Sequence, residues 1–386
     1  MQNPEDARMT LDQTYLDLSD LKQRAKKRVP KFVWEFLDSG TGQERTKARN
    51  RVALDSILLK PSILHGEITT NLTTSFVDHD YNLPVGIAPV GMSGLIWPQA
   101  ELHLAQAASK IGIPYCLSTV ASQTPEAVGP HLNGNGWFQL YPPRDPDIRL
   151  DLLKRAKENG FSTLVLTVDV PVASRRERQT RSGLTQPPKF TPRLLAQIAR
   201  RPAWALGMLR YGTPHMRTLD PYIDGAKKNL PPTAHVGYLL RTSPDWEYLS
   251  WLRDHWDGPL IVKGVLDPEH VPRLQSAGVD AIWVSNHAGR QFDGAPATAD
   301  TLPAIRAKTN LPIIFDSGAE GGLDILRAMA LGADFVMMGR AWHIALAALG
   351  PMGVHHFGDI LRKDLQSNLG QMGLIRPSNV TSDHLA

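Results

Sequence analysis

A base stands three residues from an anion clamp in Ser285-Asn286-His287-Ala288-Gly289-Arg290-Gln291. The imidazole of His287 can take a proton near neutral pH. The guanidinium of Arg290 can hold a carboxylate through two parallel hydrogen bonds. Together they suit an acidic substrate that loses a proton. The stretch follows Val279–Val284, a short, mostly apolar run that reads as a buried strand. The C-terminal end of a strand is where an α/β enzyme keeps its chemistry. Histidines such as His79, His215 and His343 have no comparable neighbours and read as structural.

Other residues extend that chemistry. Arg176 and Arg290 can clamp a carboxylate from two sides, Tyr141 can bond a substrate oxygen, and Asp169 can orient His287 and support its protonated form. Lys263 can stabilise negative charge on a reduced heterocycle or an enolate. Gln139 and Thr167 can bond a heterocycle's polar atoms, and Gly91 lets a backbone N–H come close to it. Asp316-Ser317-Gly318-Ala319-Glu320-Gly321-Gly322 opens a helix after one apolar run, and Gly339-Arg340 follows another. Backbone N–H groups at a helix start and an added arginine suit a phosphate.

These residues need a scaffold that gathers strand ends. Eight short apolar runs recur: Leu83–Ala88, Pro114–Leu117, Gly136–Leu140, Thr163–Thr167, Pro259–Val262, Ala281–Val284, Pro312–Phe315 and Phe335–Met338. Helical patterns follow most of them, at Gln99–Ile111, Ile148–Asn159, Pro268–Gly278, Thr298–Lys308 and Gly322–Leu331. Eight such units imply a closed parallel (β/α)8 barrel, in the α/β class, rather than an open sheet. Polar or backbone-exposing residues end every run, and a barrel brings those ends to one mouth. Residues 1–75 read as an N-terminal helical segment, with helices beginning near Asp17 and Pro30 and a third amphipathic pattern over Glu44–Leu58. The expected division is 1–75, a barrel over 76–375 with an inserted loop at 178–245, and a tail at 376–386.

The insertion interrupts the fourth unit. From Arg178 to Leu219 there are eight basic residues and no acidic one, interleaved with Leu194, Leu195, Ile198, Trp204, Leu206, Met208 and Leu209. Apolar anchors among arginines suit a segment lying on an anionic bilayer. A solvated lid or a subunit contact is the alternative. The patch carries no recognised nucleic-acid motif, so nucleic acid is not expected as a partner.

Composition sets the outer bounds. Apolar residues make up 42% of 386, enough for a large core. The single cysteine, Cys116, excludes an internal disulfide and a cysteine-cluster metal site, and reads as a small buried hydrophobe. The polar start Met1-Gln-Asn-Pro-Glu-Asp is not a secretory signal, and no run reaches the ~18 apolar residues of a membrane span. The expectation is a cytoplasmic protein, peripheral on the inner face of the cytoplasmic membrane if the insertion binds lipid. No metal is expected.

The ordered motifs Ile87-Ala-Pro-Val-Gly91, Leu117-Ser-Thr119, Phe138-Gln-Leu-Tyr141, Leu166-Thr-Val-Asp169, Arg175-Arg-Glu177, Val262-Lys-Gly264, Ser285 to Gln291, Phe315-Asp-Ser-Gly318 and Met338-Gly-Arg340 resemble the FMN-dependent α-hydroxy-acid dehydrogenases and oxidases. That family includes L-lactate dehydrogenase, mandelate dehydrogenase and glycolate oxidase. The resemblance runs from about Leu21 to Leu349 and is nearest to the membrane-associated L-lactate dehydrogenase type. It implies FMN held by Pro89, Val90, Gly91, Ser118, Gln139, Thr167, Lys263, Asp316, Ser317, Gly318, Gly339 and Arg340, with Ser285 near the flavin. It implies an L-2-hydroxy acid, first of all L-lactate, meeting Tyr141, Arg176, His287 and Arg290, with Val120 lining the side-chain pocket. It further implies electrons passed to a quinone-type acceptor, or to O2 in a soluble oxidase, and a homotetramer. An FMN-barrel isomerase would not need both arginines beside His287, and a non-catalytic flavin- or phosphate-binding protein is suggested only by Phe36 and Glu320.

Two positions depart from that family. Its carboxylate-binding tyrosine is Phe36 here, which lines the site without a donor. Its arginine in the Asp-x-Gly-x-Arg phosphate turn is Glu320. The phosphate is therefore expected to rest on Arg340 and the backbone.

Overall fold

The eight apolar runs close into one parallel barrel in this computed structural model, which describes residues 11–134, 136–184, 191–223 and 243–386. A hairpin comes first, β1 (Thr74–Phe76) against β2 (His79–Tyr81). The barrel strands are β3 (Val85–Ile87), β4 (Tyr115–Ser118), β5 (Gly136–Leu140), β6 (Phe161–Thr167), β7 (Leu260–Val265), β8 (Ala281–Val284), β9 (Ile313–Phe315) and β10 (Phe335–Met338). β10 pairs with β3 and completes the ring. The expected (β/α)8 fold is therefore present. Its register sets site residues side by side: Ser118 pairs with Gln139, and Thr167 with Lys263.

The strands read as near-continuous apolar runs because both of their faces are covered. Inside the barrel, Cys116, Trp137, Val165, Ile261, Trp283, Ile314, Phe335 and Met337 form one buried cluster, with Phe76 and Tyr81 of the hairpin among them. Trp137 Nε1 donates to the Tyr81 hydroxyl at 3.2 Å. The interior is thus a packed aromatic plug, and Cys116 lies within it as a small apolar group. A ligand has room only at the mouth.

The helical reading of the N-terminal segment holds only to Asp55. Helices span Leu18–Arg28, Lys31–Asp38 and Arg45–Asp55, residues 56–73 contain none, and the hairpin follows; residues 1–10 lie outside the described residues. The hairpin turn is made by Val77 and Asp78 at φ 44° and 61°. It lacks the Asn-Gly or Asp-Gly signature of such turns, which is why the sequence did not announce it. The C-terminal end is more helical than the expected division implies. Helices Arg340–Leu349 and Pro351–Met372 follow β10, the second burying Val354, Phe357, Leu361, Leu365 and Leu369. The expected tail is ordered against the N-terminal segment: Leu385 bridges Leu59, and the Ala386 N–H donates to the Leu58 carbonyl at 3.0 Å.

The insertion after β6 carries helices Glu177–Arg181, Pro192–Ala199 and Pro202–Tyr211; residues 185–190 and 224–242, Lys189 among them, lie outside the described residues. Pro202 is the first residue of its helix, where a missing N–H costs nothing. The insertion docks on the N-terminal helix Lys31–Asp38. Trp204 meets Phe32 edge-to-face at 5.7 Å and donates to the Leu95 carbonyl at 3.0 Å. Arg178 pairs with Glu35 at 2.6 Å, with Glu44 at 3.1 Å and with Asp38.

Candidate active site

Above the plug the strand ends enclose a cavity of about 620 Å³. Its wall includes Phe36, Pro89, Val90, Gly91, Val120, Gln139, Tyr141, Thr167, Arg176, Lys263, His287, Arg290, Asp316, Ser317, Gly318, Gly339 and Arg340. Asp169, Ser118 and Ser285 stand behind this wall and hold residues that form it.

His287 leaves β8 in a left-handed conformation, φ 55°, and so does Ala288 at 54°. Two such residues in succession cost roughly 1–3 kcal/mol each, so the surroundings must over-determine the turn. They do. Asn286 exchanges side-chain hydrogen bonds with Asn50 at 2.9 and 2.6 Å and donates to the Pro296 carbonyl at 2.9 Å. Ser317 Oγ accepts from the Ala288 N–H at 3.0 Å, and Ser285 Oγ from the His287 N–H at 3.1 Å. The hydroxyls of Ser285 and Ser317 are therefore committed to shaping the loop. The pairing of Asn286 with Asn50 carries no local signal in the sequence, since the two amides are 236 residues apart.

The turn points His287 at Asp169. Nδ1 lies 2.9 Å from Asp169 Oδ1, so the carboxylate accepts from Nδ1–H and leaves Nε2 as the acceptor atom. Burial lowers the His287 pKa from its usual value. Asp169 opposes that shift, while the charges of Lys263 and Arg176 add to it. The imidazole is thus neutral at neutral pH, as a base must be. Burial disfavours the charge of Asp169, but Lys263 and then His287 more than offset it, and its pKa falls.

Lys263 occupies the centre. Its Nζ donates to Ser285 Oγ at 2.8 Å and lies 3.6 Å from Asp169 and 3.5 Å from Asp316. Burial disfavours its charge, but the two carboxylates prevail and raise its pKa. Asp316 also accepts from Trp283 Nε1 at 2.9 Å, tying the site to the plug. Gly264, at φ 110°, follows Lys263. A Cβ there would fall 2.6 Å from that of Asp169, so glycine is what lets lysine and aspartate meet.

Arg290 Nη1 donates to the carbonyls of Phe36 at 2.9 Å and Ser39 at 3.0 Å. Phe36 cannot donate to a substrate, but its backbone holds the arginine that can. Burial lowers the Arg290 pKa well below its usual value, and repulsion from Arg176 and Arg340 adds to the shift. No ion pair among the described residues involves Arg176, Arg290 or Arg340. Three guanidiniums crowded on one cavity without carboxylate partners make an anion site. Tyr141 lies on the same wall, its pKa raised by burial and by Asp169.

Among the described residues, two buried polar atoms on this wall have no hydrogen-bond partner, Gln139 Nε2 and Thr167 Oγ1. Ser118 fixes the Gln139 amide by donating to its Oε1 at 2.8 Å. Buried polar groups are normally satisfied, so these two call for a polar ligand. With the exposed backbone at Gly91 and the phosphate-type loop at Gly318, they fit a flavin mononucleotide. Met216, from the insertion, also lines this cavity. The sequence offered no sign of that, because the path of a long insertion is not periodic.

The cavity agrees with what this chain is similar to. A family model described as FMN-dependent dehydrogenase matches residues 25–386. An L-lactate dehydrogenase of Acinetobacter baumannii is 38% identical over 373 residues, covering 95% of this chain and 96% of the relative. An L-lactate dehydrogenase of Ectopseudomonas mendocina is 38% identical over 370 residues, with 95% and 97% covered. Among solved structures, a monotopic membrane protein, (S)-mandelate dehydrogenase, superposes with a TM-score of 0.90 at 32% identity, covering 96% of this chain and 99% of that one. A soluble mutant of the membrane-associated (S)-mandelate dehydrogenase from Pseudomonas putida gives 0.82 at 33% identity, with 96% and 99% covered.

Proposed function

This chain belongs to the FMN-dependent dehydrogenase family, and from that premise we propose that it oxidises an L-2-hydroxy acid, L-lactate first, to the 2-oxo acid and passes the electrons to a quinone at a membrane surface. One observation carries the reading. His287, 2.9 Å from Asp169, shares a cavity with Arg176 and Arg290, two cations that form no ion pair among the described residues. A substrate carboxylate supplies what the arginines lack, and its α-hydroxyl then faces the base.

FMN, which Pro89 to Gly91, Gln139, Thr167, Lys263, Gly318, Gly339 and Arg340 would hold, would supply the acceptor for the hydrogen and the electron pair released when the substrate's Cα–H bond breaks. The protein's residues do the rest. Arg176 and Arg290 bind and orient the carboxylate, and Tyr141 offers its hydroxyl to a substrate oxygen. His287 Nε2 takes the hydroxyl proton as the C–O bond becomes C=O, and Asp169 stabilises the imidazolium that forms. Lys263 keeps a positive charge at the base of the cavity, where negative charge develops.

The substrate side chain meets Phe36, Val120 and Met216, an apolar wall that suits methyl and larger apolar groups better than a bare glycolate. The quinone and membrane assignments rest on the insertion. Leu206 and Leu209 are 65% and 82% exposed, with Leu195 and Tyr211 also outward, and Arg193, Arg200 and Arg210 are exposed among them. Lipid would cover the leucines and anionic headgroups would meet the arginines. No described helix is long and apolar enough to cross a membrane, so contact would be peripheral.

Anaerobic stopped-flow mixing with a panel of L- and D-2-hydroxy acids tests the reading. FMN absorbance should bleach with L-lactate and not with D-lactate. Reoxidation should be fast with a quinone analogue and slow with O2. An FMN-loaded protein that no hydroxy acid reduces refutes the substrate class, and rapid reoxidation by O2 alone refutes the acceptor.

A further inference from the structure

Glu320 stands at the phosphate-type end of the cavity, where a carboxylate opposes an anionic ligand. It does not face that end alone. Lys22 Nζ lies 2.5 Å from Glu320 Oε1, and both residues line the cavity. Lys22 sits on the helix Leu18–Arg28, one turn after Leu18, which lines the same wall. Glu320 is anchored in turn: its backbone N–H donates to Asp324 Oδ2 at 2.9 Å, just before the helix Gly322–Ala330.

The other cations nearby are differently placed. Lys47 uses its ammonium on both the Asp38 carboxylate at 3.0 Å and the Asp38 carbonyl at 2.6 Å, and all three guanidinium nitrogens of Arg51 are taken by Asp55, Asp324 and the Gly318 carbonyl, so both have fewer donors left for a ligand than Lys22. Arg340 uses Nε and Nη2 on the carbonyls of Leu37, Ser39 and Ala288, which leaves Nη1 for a ligand. A phosphate monoester carries about −1.5 to −2 charges near neutral pH. One half-committed guanidinium compensates only part of that. An ammonium has three donors, and Glu320 Oε1 occupies one of those on Lys22.

Resting on FMN as the bound group, we propose that Lys22 is the second phosphate-facing cation of this site, held there by Glu320. The charge then comes from the N-terminal helix instead of the loop after β9, and the glutamate is the anchor of a cation, not a defect in the phosphate site.

The test compares FMN with riboflavin, which lacks the phosphate. Affinities are measured by flavin fluorescence quenching on the full-length chain stripped of flavin and titrated. Lys22→Met should weaken FMN binding about tenfold and leave riboflavin binding within about twofold. Adding Glu320→Arg to Lys22→Met returns a cation to the same place and should restore most of the lost FMN affinity. Unchanged FMN affinity in Lys22→Met overturns the proposal. So does a parallel loss of FMN and riboflavin, which marks damage to the wall. Failure of the double variant to recover contradicts the shared role of the two positions. The wild-type titration reports separately on FMN itself: a wild-type chain with no preference for FMN over riboflavin overturns the phosphate reading of the whole loop.

Discussion

The loop after β8 and the insertion after β6 are both rich in charge at the barrel mouth, yet they are built in opposite ways. In the loop the polar groups that shape the turn have assigned partners: Asn286 with Asn50, Ser285 with Lys263, His287 with Asp169. Its two left-handed residues persist because that network over-determines them. Among its described residues the insertion turns Leu194 and Trp204, at 5% exposure each, and Leu219 inward, and Leu195, Leu206, Leu209 and several arginines outward. One region has its turn fixed by hydrogen-bonded partners. The other leaves apolar side chains and cations turned outward. The difference teaches that reaction and delivery are separable here, and substitutions should divide along the same line.

The largest effect belongs to the loop. His287→Ala should lower turnover on the order of 10³-fold while FMN stays bound, since a positioned base contributes about that much. Steady-state kinetics on flavin-loaded protein would show it, and near-normal turnover would remove His287 from the base role. Next comes the clamp. Arg176→Met should raise KM for the acid roughly 10- to 100-fold, the worth of a charge-assisted contact. If KM holds and only kcat falls, Arg176 acts on the transition state and the two-sided clamp is wrong. Phe36→Tyr is gentler. A donor added at the wall is worth about 1 kcal/mol, so KM ratios across a series of hydroxy acids should shift several-fold. A flat series would mean the substrate does not reach residue 36. The smallest catalytic effect lies in the insertion. Leu206→Ser with Leu209→Ser should abolish binding to anionic vesicles and leave turnover with a soluble dye acceptor within about twofold. Retained vesicle binding would assign those leucines to a lid or a subunit contact. A collapse of soluble-dye turnover would erase the division between the two regions.

How far the sequence disclosed this follows from the range of each interaction. The barrel was legible because its evidence is local and repeated, an apolar run and then a polar end, eight times. The pairing of His287 with Asp169 was legible because both stand at strand ends that a barrel must bring together. The hairpin at Thr74–Tyr81 was not, because its Val77-Asp78 turn lacks the Asn-Gly or Asp-Gly pair that marks such turns. Nor was Lys22 beside Glu320, with 298 residues between them on a solvated-looking helix face. The replacement of arginine by Glu320 could be read as a departure, but its partner could come only from packing. Met216 is the same case: the insertion's composition marked it as unusual without saying which residue would turn back into the site.

The central claim is that His287 is a neutral base held by Asp169, and the pH dependence of FMN reduction by L-lactate tests it most directly. The base works only unprotonated, so the anaerobic reduction rate at low substrate should fall as pH drops through the His287 pKa. Burial lowers that pKa, so the fall should lie below the usual histidine value of about 6.5. Asp169 is the group that favours the imidazolium, so Asp169→Asn should move the fall to still lower pH and reduce the plateau rate. A limb that stays in place, or moves to higher pH, in Asp169→Asn would contradict the account.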